Sequence, residues 1–378
     1  MLALVGGRIY TPEEFFSGNI LIEDGKIVAM GDFSPPQSAE VITLSEKIIS
    51  PGFIDVHIHG VGGYDCMDGK SAVEEMSAIL PRFGVTAFLP TGVASPYEKL
   101  VSFLRDVREA KSRGARILGA HLESPYISMS NRGAQPPEAI RKVDMKEIEG
   151  LINAGVKMVT IAPEVEGAIE AIRLLRKFGV IVSLGHSDAN WDEAIRGINA
   201  GISKATHIFN AMSPLHHRQP GCVGVALTDD RVACEVIADF VHLHPIIVKL
   251  IIKAKSKDKV ILITDSTPYT GLPDGEYSWL GERAIIKKEG KIFFKDAPDV
   301  LAGSTLTMDQ AVRNVVSLGI SLKEAIQMAT LNPAREANLE GLGKIAIGND
   351  ADLVVLDEEL NVCITLVKGE VVYRKNID

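Results

Sequence analysis

The chain has 378 residues, and 40 Lys and Arg residues against 49 Asp and Glu residues leave a formal net charge of −9 at pH 7. This acidic balance, without a run rich in Lys or Arg, argues against electrostatic binding to nucleic acid or to an anionic membrane. Apolar residues make up 46% of the chain, enough for a large core. The sequence contains no run of about 18 apolar residues, so no membrane-spanning helix is predicted.

The first residues and the cysteines indicate the compartment. The segment MLALVGGRIY has no basic start and reaches Gly6-Gly7 after a short apolar run, so we expect no signal peptide. Cys66, Cys222, Cys234 and Cys363 are scattered without CxxC spacing. In a chain of this length they are expected to be reduced thiols, which predicts a cytoplasmic protein.

The two ends of the chain share one pattern. Residues 19–28 place an apolar run, an Asp24-Gly25 turn and a second apolar run in series, which predicts a β-hairpin. Residues 351–373 repeat this pattern with a turn at Lys368-Gly369. We therefore predict one small β-sandwich domain formed by both chain ends, residues 1–48 and 345–378.

The region between them, residues 49–344, alternates short Val- and Ile-rich runs with longer stretches of helical periodicity. Strands are predicted at residues 54–59, 85–90, 116–122, 156–161, 180–184, 204–208, 233–238 and 260–264. Helices are predicted at 96–112, 165–178, 243–255, 307–316 and 322–329, with a hairpin insert near 283–295. Eight strands alternating with helices predict an α/β fold with a (β/α)8 barrel of TIM type, which takes about 250 residues.

Polar side chains fall at or just past the ends of these predicted strands. They are His57, His59, Glu123, His186, His207, His242 and Asp265. In a (β/α)8 barrel the carboxyl ends of the strands converge on the active-site face, so these groups are expected in one cavity. The order HxH, Glu, His, His, Asp predicts a binuclear metal site with a general base.

Each of these residues has a structural explanation when it is taken singly. A lone His such as His186 or His207 is commonly a hydrogen-bonded core residue. Glu123 precedes Ser-Pro and would ordinarily be a solvated loop residue, and Asp265 could be a helix N-cap. The joint arrangement, rather than any one residue, favours the metal site.

The residues also carry a resemblance to a family. The segment PGFIDVHIHG at 51–60 resembles the first-strand signature of the amidohydrolase superfamily. Later segments resemble the N-acetylglucosamine-6-phosphate deacetylase family, namely GAHLE at 119–123, SLGHS at 183–187, ATHIFNAM at 205–212, LITD at 262–265 and LAGS at 301–304. The resemblance covers essentially the whole chain. The motif THIFNAM followed by RQPG at 218–221 is specific to this family within the superfamily.

The resemblance implies metal ligands. These are the principal set Glu123, His186 and His207 and the second pair His57 and His59. Some family members carry other residues at the second pair and hold one metal, so one or two divalent cations per subunit are expected, and this chain favours two. Many superfamily relatives bridge two metals with a carboxylated Lys after strand 4, but Ala162-Pro163 stands there, so Glu123 is the expected bridge. Zn or Fe is expected first, with Mn and Co as alternatives.

The activity implied is hydrolysis of the acetamide of N-acetylglucosamine 6-phosphate to glucosamine 6-phosphate and acetate, in amino-sugar catabolism. A bound divalent ion lowers the pKa of water towards about 7, which makes hydroxide available for attack on the amide carbonyl. Asp265 is the implied catalytic residue, accepting the proton of water and delivering it to the leaving amine.

The resemblance also implies contacts to a small-molecule amino-sugar phosphate. The implied substrate-binding residues are Ala134, Gln135, Asn210, Ala211, Arg218, His242, Leu301, Ala302 and Gly303. Arg218 matches the phosphate-contacting Arg of the family, and His242 matches a substrate-contacting His. Because the family is commonly oligomeric, a homodimer or homotetramer is expected, and Arg218 could serve its own or a neighbouring subunit's site.

Two positions depart from the family pattern. Ser124 replaces the Gly of HLEGP, which would cost strain if that position needs positive φ, or would narrow the pocket if it needs close packing. Gln135 stands where a His is common, and an amide cannot carry charge. Two alternatives therefore stay open: a deacetylase for another substrate such as N-acetylgalactosamine 6-phosphate, or a cyclic amidohydrolase. A degenerate, non-enzymatic sugar-phosphate binder is a third, which the complete ligand set and Asp265 oppose.

Overall fold

The structure, a computed structural model, describes residues 1–279 and 283–375. The chain begins with five strands. They are β1 (Leu2–Tyr10), β2 (Phe15–Glu23), β3 (Lys26–Gly31), β4 (Glu40–Thr43) and β5 (Ile48–Pro51). β1, β2 and β3 pair antiparallel in succession, while β4 and β5 both pair parallel with β1.

The central region alternates strands and helices. Its strands are β6 (Phe53–Ile58), β7 (Gly60–Val61), β8 (Tyr64–Asp65), β9 (Val85–Gly92), β10 (Arg116–Ile117), β11 (His121–Glu123), β12 (Met158–Ile161), β13 (Ile181–Leu184), β14 (Lys204–Ala205), β15 (Ala233–Ile237) and β16 (Val260–Ile263). Its helices are α1 (Lys70–Ile79), α2 (Tyr97–Glu109), α3 (Met145–Asn153), α4 (Ala168–Lys177), α5 (Trp191–Ala200), α6 (Gly221–Thr228) and α7 (Pro245–Ala254).

Eight of these strands form a parallel barrel in the order β6, β9, β11, β12, β13, β14, β15, β16. Between β16 and β6 the ring is completed just past the strand ends, where Asp265 N–H donates to His57 O and His59 N–H donates to Ser266 O, each over 2.9 Å. The buried carboxylate of Asp55 also accepts a hydrogen bond from Thr264 Oγ1 over 2.5 Å. The predicted α/β fold with a (β/α)8 barrel is confirmed.

Two predicted strands differ from the observed ones. The strand predicted at 116–122 is divided into β10 and β11, because Gly119 has a φ of 116° and turns the chain between them. The strand predicted at 204–208 ends at Ala205, because the backbone turns away two residues later, where His207 has a φ of 29°. Glu123 is therefore the last residue of its strand, while His207 lies beyond the end of its own.

Local signals explain the helices. Asn190 Oδ1 accepts from Glu193 N–H, and the Glu193 carboxylate accepts from Asn190 N–H, each over 3.0 Å, which forms a capping box at the start of α5. The spacing of apolar residues then selects the face that packs on the barrel. On α2 the buried residues are Leu100, Phe103, Leu104 and Val107, which lie on one side of a helix.

An insert follows β16. It contains β17 (Gly275–Trp279), β18 (Arg283–Lys288), β19 (Lys291–Phe294) and β20 (Ala297–Leu301), paired antiparallel in this order. The hairpin predicted near 283–295 corresponds to β18 and β19, whose turn has left-handed backbone at Glu289 and Gly290. The insert is therefore larger than the predicted hairpin, and its β20 leads back to the barrel opening.

The chain ends with three helices and three strands. They are α8 (Met308–Ser317), α9 (Leu322–Ala329), α10 (Leu331–Glu336), β21 (Leu353–Leu356), β22 (Val362–Val367) and β23 (Glu370–Arg374). β21 pairs with β5, so strands from both chain ends share one sheet and one apolar core. Gly25 lies against Lys368, which brings the turns of the two predicted hairpins together. In the part of the chain that the structure describes, the helices are too short or too polar to span a membrane.

Candidate active site

A cavity of about 380 Å³ opens at the carboxyl ends of the barrel strands. Its floor carries His59, Glu123, His186, His207 and Asp265. Its side wall comes partly from the insert, through residues at the ends of β17 and β20. Six of the seven polar residues predicted at the strand ends line this opening, as the barrel topology requires, while His57 lies fully buried next to them.

Glu123 lies at the centre of this floor. Its Oε1 is 2.9 Å from Nε2 of His186 and 2.9 Å from Nε2 of His207. These two imidazole nitrogens are themselves 3.2 Å apart. One carboxylate oxygen and two imidazole nitrogens therefore converge on one point, which is a ligand set typical of Zn and related divalent cations.

A second ligand set shares Glu123 with the first. His59 Nε2 lies 3.4 Å from Glu123 Oε2, and His57 Nε2 lies 3.6 Å from Glu123 Oε1. Asp265 Oδ1 lies beside both imidazoles, 3.1 Å from His59 Nε2 and 3.4 Å from His57 Nε2. Two groups that could each hold a cation thus have Glu123 in common.

The ligand atoms are buried, and one of them is left without a partner. The five residues His57, His59, Glu123, His186 and His207 are at most 5% exposed. His57 Nε2 makes no hydrogen bond although it faces two carboxylates. A buried polar atom without a partner is costly, and a cation between the imidazoles and the carboxylates would satisfy it. The residues present therefore fit a divalent metal centre.

The charges in this cluster reinforce one another. Burial raises the pKa of Glu123, but the neighbouring His186 and His57 outweigh it and hold this pKa well below its usual range. Burial lowers the pKa of His207, but its hydrogen bond to the Glu123 carboxylate outweighs this and raises the pKa to about 9. The pKa of His59 is raised well above its usual value, because hydrogen bonds to Asp265 and Glu123 outweigh burial. In the metal-free chain the carboxylate is therefore ionised and the imidazoles of His59 and His207 are protonated. A cation must displace those protons in order to bind.

Three residues of the cavity floor have left-handed backbone. The φ angles are 48° at His186, 29° at His207 and 51° at Asp265. Each residue lies just past the end of its strand, where the turn directs its side chain onto the floor of the cavity. Non-glycine residues with this backbone cost of order 1–3 kcal/mol each and cluster at functional sites.

The structure places most of the predicted substrate-binding residues on the cavity wall. Those that line it are Ala134, Gln135, Asn210, Ala211, His242, Leu301 and Gly303. Ala302 does not line it, because its side chain packs in the apolar core of the insert. Arg218 lies outside it, in an exposed loop where Nη1 is 2.7 Å from His217 Nε2.

Ser124 has neither of the two effects considered for it. Its backbone is outside the left-handed region, so the Gly-to-Ser difference costs no strain of that kind. Its hydroxyl donates to Thr160 O over 2.5 Å, which directs the side chain to the neighbouring strand, and Ser124 does not line the cavity. The Ser124 side chain is thus accommodated between β11 and β12.

Sequence reasoning missed several residues of the site, among them Trp279, Asp299 and Asp239. Trp279 lines the cavity, its ring 6.1 Å from that of His59, and its Nε1 donates to Asp65 Oδ2 over 2.6 Å. Asp299 adds a carboxylate to the wall. Asp239 Oδ2 lies 2.7 Å from His242 Nδ1 and orients that imidazole. Asp239 stands three residues before His242 in a predicted strand-end segment, a signal that could have been used, whereas no sequence pattern places Trp279 or Asp299 at the cavity.

Comparisons with known proteins agree with this geometry. The amidohydrolase family matches residues 48–372. N-acetylgalactosamine-6-phosphate deacetylase from Escherichia coli O157:H7 is 38% identical over 373 residues, covering 96% of this chain and 97% of that protein. N-acetylglucosamine-6-phosphate deacetylase from Bacillus subtilis strain 168 is 36% identical over 375 residues, covering 94% and 93%. A solved mutant of N-acetyl-D-glucosamine-6-phosphate deacetylase from Mycobacterium smegmatis, in complex with N-acetyl-D-glucosamine-6-phosphate, is 35% identical with a TM-score of 0.92, covering 98% of this chain and 99% of that chain.

Proposed function

The chain belongs to the amidohydrolase family, and we propose that it hydrolyses the acetamide of N-acetylglucosamine 6-phosphate to glucosamine 6-phosphate and acetate. The observation that carries this proposal is the Glu123 carboxylate shared by two imidazole pairs, with Asp265 Oδ1 3.1 Å from His59 Nε2. The names of the relatives and the sugar phosphate bound to the mycobacterial protein support this substrate class.

The proposed metal centre has two positions. Glu123, His186 and His207 form the first, and His57, His59 and Glu123 form the second. Zn or Fe is the proposed metal, with Mn and Co as alternatives for the same imidazole and carboxylate ligands. When bound, such a cation polarises the amide carbonyl and lowers the pKa of water.

Asp265 is the proposed general base and acid. Burial raises its pKa, but the hydrogen bond from His59 and the nearby His57 outweigh burial and lower it, so the carboxylate is ionised at neutral pH. It can therefore accept a proton from the attacking water and then donate it to the amine nitrogen, which must leave protonated. Its Oδ1 lies 3.1 Å from His59 Nε2, which places it beside the proposed second metal position.

The cavity wall provides the groups that orient the sugar. Trp279 presents an apolar ring, while Asn210 and His242 present polar groups. The Asp239 carboxylate accepts from His242 Nδ1–H, which leaves the other ring nitrogen of His242 available to a sugar hydroxyl. These residues can bind and orient a substrate of the size of a monosaccharide phosphate.

The phosphate of the substrate needs a counter-charge at a distance from the metal centre. Among the described residues that line the cavity there are three carboxylates, of Glu123, Asp265 and Asp299, and no Lys or Arg. A dianionic phosphate is unfavourable beside them without a counter-charge. We propose that Arg218 of a neighbouring copy supplies it in a homodimer or homotetramer, which is consistent with its exposed place outside its own cavity.

The proposal is tested by metal removal and restoration. Protein stripped with a chelator should release no acetate from N-acetylglucosamine 6-phosphate, and addition of Zn²⁺ or Fe²⁺ should restore the rate. Asp265→Asn protein, treated in parallel, is the matched control, since it should take up the metal without regaining turnover. Undiminished acetate release by the metal-free chain would contradict the proposal.

A second candidate substrate is N-acetylgalactosamine 6-phosphate. The observation that favours it is the 38% identity to the Escherichia coli O157:H7 protein named for that substrate. The two sugars differ in the configuration of one hydroxyl, so the wall residues rather than the metal centre would discriminate between them. A competition between the two sugar phosphates, followed by the ratio of kcat/KM values, decides which is preferred.

A further inference from the structure

A buried ion pair lies inside the barrel beneath the proposed metal centre. Lys204 of β14 and Glu235 of β15 are both 0% exposed, and Lys204 Nζ is 2.8 Å from Glu235 Oε1. A second group near the ammonium is Met158 Sδ, 3.4 Å away. Two full charges in the interior are expensive unless each is paired, so a pair at this place calls for an explanation.

The other oxygen of this carboxylate contacts the proposed centre. Glu235 Oε2 lies 3.2 Å from Nδ1 of His57, which projects from β6 on another side of the barrel. A carboxylate accepts a hydrogen bond, so this contact places the imidazole proton on Nδ1. Nε2 of His57 then presents its lone pair to Glu123 and Asp265, where a cation would bind.

His57 is the one imidazole of the centre with a charged partner behind it. His59 Nδ1 is 2.8 Å from Thr91 O, and His186 Nδ1 is 3.0 Å from Asn131 O, so both face neutral backbone carbonyls. His207 Nδ1 has no hydrogen-bond partner. The carboxylate behind His57 therefore distinguishes the second metal position from the first.

The lysine supplies the counter-charge of this carboxylate. Lys204 Nζ lies 2.8 Å from Glu235 Oε1, so the buried negative charge is paired on the side away from His57. Lys204 thus acts on His57 through Glu235 rather than by contact.

We propose that Lys204 and Glu235 are positioning residues for the second metal position, which hold His57 with Nε2 directed at the shared carboxylate. The inference rests on the proposed metal centre but not on the identity of the substrate. Loss of a hydrogen-bonded partner behind a metal ligand typically weakens metal binding about 10–100-fold. The first position, which contains no contact to Glu235, should be unaffected.

The test is a calorimetric titration of chelator-stripped full-length protein with Zn²⁺, together with a thermal melt of the metal-free chain. Wild-type protein should bind two cations. Glu235→Gln should bind the first normally and the second about 10–100-fold more weakly. The double variant Lys204→Met with Glu235→Gln removes both charges, so its melting temperature should recover while its affinity for the second cation stays weak. This result distinguishes a role in positioning His57 from a role in folding.

Asp352→Asn is the matched control. Asp352 is a buried carboxylate paired to Arg116 over 3.1 Å, far along the chain and outside the cavity, so its loss should lower stability but leave both Zn²⁺ affinities unchanged. If Glu235→Gln bound the second cation with the wild-type affinity, this inference would be overturned but the proposed metal centre would not. Binding of only one cation by the wild-type chain would overturn the two-cation centre, and the inference with it.

Discussion

Gln135 donates a hydrogen bond from Nε2 to Glu123 Oε2 over 2.6 Å. The orientation of the amide is set by its other end, because Gln135 Oε1 accepts from Ala94 N–H over 2.8 Å. Glu123 therefore has its two oxygens held separately, Oε2 by the amide and Oε1 by His186 and His207. Gln135, which stands where a His is common in the family, thus positions the shared carboxylate of Glu123.

Replacement of Gln135 by Leu should destabilise the metal-free chain. The variant leaves the buried Ala94 N–H without a partner, which costs about 1–3 kcal/mol of unfolding free energy. Urea denaturation of stripped protein measures this. Gln310→Leu, at an exposed site of α8, is the control and should change stability by no more than about 0.5 kcal/mol. Equal stabilities of the two variants would show that the amide has no such role.

Asp265→Asn should bind metal and substrate but lose turnover. The amide keeps the shape of the side chain and cannot accept or deliver the proton, so kcat should fall by about 100–10,000-fold. Steady-state acetate release gives kcat, and elemental analysis of the same sample shows that the metal content is retained. An Asn variant with near-normal kcat would remove Asp265 from the mechanism.

Cation binding should release protons in a pH-dependent way. In the metal-free chain the pKa of His207 is raised to about 9, so this imidazole holds a proton below that pH, and a cation must displace it. Affinity should therefore weaken as pH falls below about 9, by about tenfold per pH unit for each displaced proton. Calorimetry at pH 7.5 in buffers of different ionisation enthalpy counts the protons. Heats that do not depend on the buffer would contradict this protonation state.

Gly303→Ala should impair turnover through Asp265. Gly303 has a φ of 69°, and a Cβ there would lie 3.0 Å from Asp265 O and 2.8 Å from Thr267 Cγ2. Gly290→Ala is the control, since its φ is 76° but a Cβ there meets no atom within 4 Å. Both variants bear the backbone cost of left-handed alanine, and Gly303→Ala adds the two close contacts, so a lower kcat is expected only in Gly303→Ala. Equal kcat values would show that the loop around Asp265 accommodates the added Cβ of Gly303→Ala without loss of function.

The fold and the polar residues of the floor could be predicted for a common reason. Alternating strand and helix patterns identify a parallel barrel, and its topology alone brings strand ends such as His57 and Glu123 together. Barrel geometry requires this convergence whatever the side chains are. The assignment of roles to these residues stays a prediction until variants are measured.

Other parts of the site depend on relationships that sequence patterns do not contain. Trp279 reaches the cavity only because a four-stranded insert folds over the barrel opening. Glu235 and Lys204 lie within predicted apolar strands. The periodicity of apolar residues does not show that these two charged side chains pair with each other. Left-handed backbone at His186 is not signalled by the residue type, since only a few per cent of non-glycine residues adopt it.

The most direct measurement is acetate release by the Zn²⁺- or Fe²⁺-loaded chain from N-acetylglucosamine 6-phosphate, with unphosphorylated N-acetylglucosamine alongside and identification of the amine product. We expect one glucosamine 6-phosphate per acetate, a much higher kcat/KM for the phosphorylated sugar, and loss of that preference in Arg218→Met. Equal rates on both sugars, or no acetate from either by metal-loaded protein, would contradict the proposed deacetylation of an amino-sugar phosphate.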